Sequence, residues 1–260
     1  MYAFDFERPS TLAEAVAALG AEGAQALAGG QTLIPTLKQR LAMPEKLVSL
    51  GAIAELKGIS ASGGVLTVGA ASTHAEVAAQ ADFPALARLA GGIGDPHVRN
   101  RGTIGGSLAN NDPSACYPAA ALGSGATIVT NAREIAADDY FTGLFETALE
   151  EGEIITAVRF PIPEKAAYVK FEQPASRFAL VGVFASKGAD GVRVAVTGAS
   201  EDGVFRWNEA EAALASDFTP AALDGLAASA ENLIGDIHGS PAYRAHLIGV
   251  LTKRAVAAAG

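Results

Sequence analysis

A single cysteine, Cys116, stands in 260 residues. It excludes an internal disulfide, and alone it cannot hold an iron–sulfur cluster or a structural zinc, each of which needs several ligands. Any such centre has to sit on another chain. Also missing is an uninterrupted apolar run of about 18 residues, the length a helix needs to cross a bilayer, so no stable membrane anchor is expected. The opening MYAFDFERPS lacks the basic start and apolar core of a secretory signal peptide, which leaves the cytoplasm as the expected compartment. Basic residues are in the minority, 19 Lys and Arg against 28 Asp and Glu for a net charge of −9. With no Lys/Arg-rich run, neither a nucleic-acid groove nor binding to an anionic membrane is expected.

Familiar catalytic signatures are absent too. Neither glycine loop reads G-x-G-x-x-G or carries the Gly-Lys-Ser/Thr of a P-loop, and there is no nucleophile elbow, zinc motif or paired catalytic carboxylate. His238 and His246 have no carboxylate or cysteine partner at ligand spacing, so no metal site is expected. The chemistry must therefore come from a bound group, with the protein supplying position and electrostatics.

Glycine is plentiful, 29 residues, and concentrated. Gly91, Gly92, Gly94, Gly102, Gly105 and Gly106 crowd into sixteen residues of LAGGIGDPHVRNRGTIGGSLANNDP, too many for a helix or strand interior. The stretch therefore predicts a loop whose backbone does the work. A second cluster, Gly29 and Gly30, lies where the strand AQAL gives way to the helix QTLIPTLKQRLA, with Pro35 tolerable only in its first turn. Glycines let a backbone approach a ligand closely and turn successive N–H groups toward an anion. Two such cradles, at Gly29–Thr32 and Gly102–Ser107, suit the two sides of a diphosphate, and hence a dinucleotide; the competing explanation is that the glycines merely make tight turns.

Periodicity and turn signals organise the rest. RPSTLAEAVAALGAEG reads as a helix capped by Thr11 and Glu14 and stopped by Gly20, STHAEVAAQ repeats that cap with Thr73 and Glu76, and FPALARLAGG is a further helix. GVLTVGAA, GATIVT, REIAA and EIITAVRFP are strands, and Pro161 and Pro163 mark a boundary. Beyond it AAYVKFEQ, FALVGVFASK, VRVAVTGAS and VFRW predict an antiparallel meander. TPAALDGLAASAENL and SPAYRAHLIGVLTKRAVAAA predict two closing helices, each opened by Ser or Thr followed by Pro.

In order along the chain, ALAGGQTLIPTLKQRLA, GDPHVRNRGTIGGSLANNDP, EIITAVRFP and YVKFEQPASRFALVGV closely resemble the flavoprotein subunit of the molybdenum hydroxylases, the medium chain of carbon monoxide dehydrogenase-type and xanthine dehydrogenase-type enzymes. The resemblance covers nearly the whole chain. It implies an α+β fold: a two-subdomain FAD-binding unit of the PCMH type (residues 1–54 and 55–163), then a C-terminal α+β domain (164–260) with an antiparallel sheet and helices. It also implies noncovalent FAD between the subdomains. By position, Leu27, Ala28, Gly29, Gly30, Gln31, Thr32, Leu33 and Ile34 would line one side of the cofactor. Thr103, Ile104, Gly105, Gly106 and Ser107 would form the other diphosphate wall, with Ile93 near a ring and Ile155, Thr156 and Lys170 as later contacts.

The resemblance further implies a molybdenum cofactor on a large partner subunit and two [2Fe–2S] clusters on a small one, in a dimer of such three-chain units, a heterohexamer. Electrons would pass from the clusters through FAD to an external acceptor. One departure stands out: many relatives carry an aspartate where this chain has Cys116. That carboxylate accepts from a cofactor hydroxyl, and a thiol accepts poorly, so weaker or rearranged ribityl contacts are expected, with Asn110, Asp112 or a water in its place. At most one of Arg99 and Arg101 is expected to face the diphosphate, because alternate loop residues point different ways. His97 is balanced between tuning the flavin and holding the loop. Two rivals remain open, a self-sufficient flavin oxidoreductase of the same fold and a scaffold that has lost its flavin.

Overall fold

Local signals near the N-terminus shape a small parallel layer. In the computed structural model, which describes residues 1–260, strand β1 (Asp5–Glu7) is followed by helix α1 (Leu12–Leu19). Thr11 accepts the Glu14 N–H while the Glu14 side chain reaches back to the cap, the reciprocal box that the Thr-x-x-Glu spacing predicts. Strand β2 (Ala24–Leu27), helix α2 (Leu33–Lys38) and strand β3 (Lys46–Ser49) complete a parallel sheet in the order β1-β3-β2. Ala15, Leu19, Val48 and Ile53 form its core.

Residues 59–161 build an antiparallel sheet with helices on one side. Strands β4 (Ile59–Ser62) and β5 (Val65–Gly69) lead into α3 (His74–Ala79), α4 (Pro84–Gly91), α5 (Pro96–Arg99), α6 (Ile104–Asn110) and α7 (Cys116–Ser124). Then come β6 (Thr127–Thr130), β7 (Glu134–Ala136), α8 (Ala137–Tyr140), the small hairpin β8 (Phe141–Gly143) and β9 (Glu146–Thr147), and β10 (Ile155–Pro161). The strand order is β4-β5-β10-β6-β7, so the last strand threads the middle of the sheet.

The meander follows as expected: β11 (Lys165–Glu172), β12 (Ala179–Gly188), β13 (Gly191–Ser200) and β14 (Gly203–Arg206) pair antiparallel in sequence order. Helices α9 (Asn208–Ser216) and α10 (Pro241–Ala259) follow, and α10 packs on β11 and β12. Of the two expected closing helices only α10 forms in full. TPAALDGLAASAENL yields one 3-10 turn, Pro220–Leu223, because Asp224 is extended and Gly225 takes φ +80°. Helices α7 and α9 were also not expected, and both lie in alanine-rich segments.

Helix α7 joins the last two layers. All nine of its residues are buried, the signature of a helix covered on every side. It packs on β12 and β13 as well as on α4. Close approach is set by Gly123, where a Cβ would lie 2.7 Å from Phe184, and by Ser186, which donates to the Gly123 carbonyl at 2.6 Å. Phe83 stands edge-on to both Phe160 of β10 and Phe184 of β12, with centroids 6.4 and 6.2 Å apart. Each such buried ring stabilises the fold by about 1.5–3 kcal/mol, and each edge-on pair adds about 0.5–1.5 kcal/mol. No helix is long and apolar enough to cross a membrane.

Candidate functional site

A cleft of about 600 Å³ opens where the three layers meet, within the usual range for small-molecule sites. The first layer contributes the turn after β2. Gly30 has φ +72°, and Gly29 lies so close to the second glycine segment that a Cβ on it would fall 1.9 Å from the Arg101 carbonyl oxygen. The two glycine segments are thus pressed together by backbone alone. The N–H groups of Ala28, Gly29, Gly30, Gln31, Thr32 and Leu33 meet no acceptor within the chain, and all six residues line the cleft.

The second segment differs from the loop expected there. Gly105 and Gly106 lie inside α6, and their N–H groups are already taken. Ile104 donates to Ser72 O, Gly105 to Ala70 O, Gly106 to the Thr103 hydroxyl and Ser107 to Thr103 O. The glycines instead permit close packing, since a Cβ on Gly105 would meet Ala70 at 2.6 Å. Gly91 likewise ends α4 within the helix. The density of glycine misled because these residues are small rather than flexible: a helix tolerates Gly at about 1 kcal/mol where a neighbouring backbone leaves no room for a side chain.

Most of the expected site residues converge. Leu27 to Leu33, Ile93, Thr103, Gly105, Gly106, Ser107, Asn110, Asp112, Cys116, Ile155 and Lys170 all line the cleft. Three stand behind its wall. Ile34 packs over Gly30, Ile104 is wholly buried in the core, and the Thr156 hydroxyl donates to Val129 O at 3.1 Å.

The arginines face elsewhere. Arg99 donates to the carbonyls of Ile93 and Gly94 at 3.0 and 2.9 Å, holding the turn that carries Ile93. Neither Arg99 nor Arg101 lines the cleft, and His97 is exposed outside it.

Cys116, the first residue of α7, is carried to the cleft by the C-terminal sheet. The Thr197 hydroxyl is shared between the carbonyls of Pro113 and Ala115, and Gly198 N donates to Pro113 O at 2.7 Å. Burial pushes the thiol pKa up, opposed by the Lys170 ammonium 3.9 Å away. That ammonium donates to Gly92 O at 2.8 Å and Arg177 O at 2.6 Å and pairs with Glu172 at 3.5 Å. Its hydrogens are therefore spent on tying the loop after β11 to the glycine segment after α4, and its aliphatic stem is what remains for a ligand. Asp112 faces the same cleft with its carboxyl raised by burial, while accepting from Ser114 N at 2.8 Å.

Among the lining residues outside the expected cofactor-binding set, His74 and Glu153 stand out by their strongly lowered pKa values. Both are distant in sequence from the glycine motifs, and only the Thr73–Thr103 bridge brings His74 to the second one. Glu153 accepts from Thr130 Oγ1 at 2.6 Å, Glu150 N at 2.8 Å and Arg133 Nε and Nη2, each at 3.1 Å. The Arg133 hydrogen bonds, followed by those from Thr130 and Glu150 N, lower its pKa to about 2 from an unperturbed 4.5. A depressed carboxylate contributes stability that is present above pH 4.5 and is lost as pH falls toward 2. With Arg133 partly solvated, the loss amounts to about 2–3 kcal/mol. Urea denaturation at pH 6 and at pH 3, which still lies above the folded-state pKa of about 2, should therefore show the wild type losing about 1–2 kcal/mol more than Glu153→Gln; equal losses would contradict the linkage.

Residues 2–163 match the family described as the FAD binding domain in molybdopterin dehydrogenase. The carbon monoxide dehydrogenase medium chain of Hydrogenophaga pseudoflava is 33% identical over 277 residues, covering 98% of this chain and 96% of its own. The nicotine 6-hydroxylase medium subunit of Paenarthrobacter nicotinovorans is also 33% identical, over 99% of this chain and 98% of that one. Among solved structures, reconstituted CO dehydrogenase from Oligotropha carboxidovorans aligns with a TM-score of 0.90 at 33% identity, covering 99% of this chain and 98% of that chain. The chain belongs to this family.

It is therefore an FAD-binding medium subunit of the molybdenum hydroxylase type, an oxidoreductase component. Its cleft suits the cofactor independently of the match. A diphosphate needs several donors converging on one place, and the 28–33 turn offers six unclaimed N–H groups. Apolar Ile93 and Ile155 line the same space, as ring systems require.

Proposed function

We propose that this chain is the electron-transfer subunit of a molybdenum-containing hydroxylase, relaying electrons from [2Fe–2S] clusters on a small partner subunit to an external acceptor. The substrate is then oxidised at a molybdenum cofactor on a large partner subunit, in a cytoplasmic assembly of two three-chain units. The observation that carries this reading is the row of unclaimed N–H groups at Ala28–Leu33, opposed by α6 across a three-sided cleft. Residues 1–54 and 55–163 act as the two halves of the FAD-binding unit, and 164–260 closes the third side.

Within the cleft, Ala28 to Leu33 would hold the diphosphate through backbone N–H groups, while Ser107, Asn110 and Asp112 supply polar contacts along the opposite wall. Cys116 fills space against Tyr168 and the Lys170 ammonium where many relatives carry a carboxylate. Bound there, FAD supplies the capacity to take up electrons singly and release them in pairs. The chain's own part is to hold it noncovalently and keep its surroundings fixed.

The assembly isolated from its native host should contain one FAD for each copy of this chain, released into the supernatant by acid, together with molybdenum and iron. A recombinant chain that binds no flavin in excess FAD would overturn the assignment, and flavin retained by the denatured chain would contradict noncovalent binding.

A further inference from the structure

His74 opens α3, and its backbone N–H donates to Gly102 O at 2.9 Å. The imidazole is 5% exposed, lies against the Tyr117 ring with centroids 5.3 Å apart, and lines the cleft. Its two nitrogens are placed differently. Nδ1 is shut away from solvent with no hydrogen-bond partner. Nε2 also has no partner in the chain, but it is not enclosed, and it sits beside Gly102, where a Cβ would come within 2.5 Å of it. Gly102 itself lines the cleft, so Nε2 is the nitrogen that a ligand there meets.

The protonation state follows from the surroundings. Burial, helped by the Arg99 charge, lowers the imidazole pKa to about 4, so the ring is neutral at pH 7. Of its two neutral tautomers, the one protonated at Nε2 leaves Nδ1 as an unmet acceptor instead of an unmet donor, and buried orphan donors are the rarer of the two in folded proteins. His74 thus presents one uncharged N–H to the cleft. A histidine held this way burdens the fold with an unsatisfied buried nitrogen, which is the pattern of a residue kept for a ligand.

We propose that His74 is a cofactor-binding residue that donates a hydrogen bond from Nε2 to an acceptor atom of the dinucleotide held in the cleft, a role that rests on the FAD reading above. It is distinct from the row of backbone donors at Ala28–Leu33, since it comes from the middle layer and from a side chain. Gly102 is its required neighbour, because any side chain there would displace the ring.

The test titrates FAD into the purified full chain and follows flavin fluorescence quenching, with the thermal midpoint of the flavin-free chain measured in parallel. His74→Leu keeps the volume but not the donor and should weaken binding about tenfold. His74→Gln, which can still donate, should stay within about threefold of wild type. The flavin-free midpoint of His74→Leu should equal or exceed that of the wild type, because the unmet Nδ1 is gone.

Wild-type affinity in His74→Leu would overturn the proposal, as would equal weakening in both variants with a lowered midpoint, which marks a packing role. Should His74→Leu fail to fold, imidazole 15N spectra of the wild type decide: Nε2 is expected to shift on adding FAD, and an unmoved Nε2 refutes the contact. A wild-type chain that binds no FAD would fail the functional reading itself, a result separate from any His74 effect.

Discussion

Gly29→Ala should cost the protein its flavin. The added methyl would lie 1.9 Å from the Arg101 carbonyl oxygen and 2.8 Å from the Gly102 Cα, and neither is the end of a flexible side chain that can swing away. The turn after β2 and the segment before α6 must therefore separate, which moves the Ala28–Leu33 donors relative to Ser107 and Asn110 across the cleft. Overpacking of this kind costs about 1–3 kcal/mol, and if it falls on the bound state it weakens FAD up to about 100-fold.

The secondary structure should survive, because Gly29 lies in the turn between β2 and α2 and outside both elements. Gly51→Ala is the matched control: a Cβ there meets nothing within 4 Å, so affinity and circular dichroism should both match wild type. Flavin affinity in Gly29→Ala equal to that of Gly51→Ala would show that the two glycine segments do not need this close approach.

The isolated subunit should not be reduced by an organic substrate of the assembly, whereas addition of the cluster-bearing and molybdenum-bearing chains should restore rapid flavin reduction. The expectation follows from the division of chemistry argued above. Cys116 is buried, with a raised pKa and its nearest cation engaged elsewhere, so it is not an activated thiol. Asp112 is held by Ser114, and Glu153 by Arg133 and Thr130. None of these side chains is poised as a nucleophile, acid or base toward a substrate, and the redox chemistry rests with FAD. Stopped-flow absorbance with and without partners is the measurement. Substrate-driven reduction of the lone chain at the rate of the full assembly would favour a self-sufficient oxidoreductase of the same fold.

Much of the architecture was legible locally because the signals are local. The Thr11/Glu14 and Thr73/Glu76 boxes start helices by satisfying donors within one turn, and Pro35 sits in the first turn of α2, where its missing N–H costs nothing. The meander followed from alternating strands and short turns. Where composition alone had to decide, the reading failed in both directions. TPAALDGLAASAENL has helical composition, but Gly225 at positive φ ends it after one turn. IGGSLAN has loop composition, yet it is a helix capped by the Thr103 hydroxyl, and Gly105 stands in it because a Cβ there would meet Ala70 at 2.6 Å.

The motifs AGGQT and VRNRGTIGGSLAN carried the family, the cofactor and most of the cleft wall, since a backbone that must approach both a ligand and another backbone closely has few residues to choose from. Tertiary structure alone decided what each glycine segment does. The N–H groups after β2 remain unclaimed while those of α6 are spent on Ala70, Ser72 and Thr103, and two of those three acceptor residues, Ala70 and Ser72, lie more than thirty residues away in the chain. It also decided that Ile34, Ile104 and Thr156 stand behind the wall, that Lys170 is a clamp between layers, and that His74 and Glu153 belong to the site. Hydrogen-bond satisfaction and burial are properties of the packed chain: whether a donor is free depends on which acceptors the fold brings beside it.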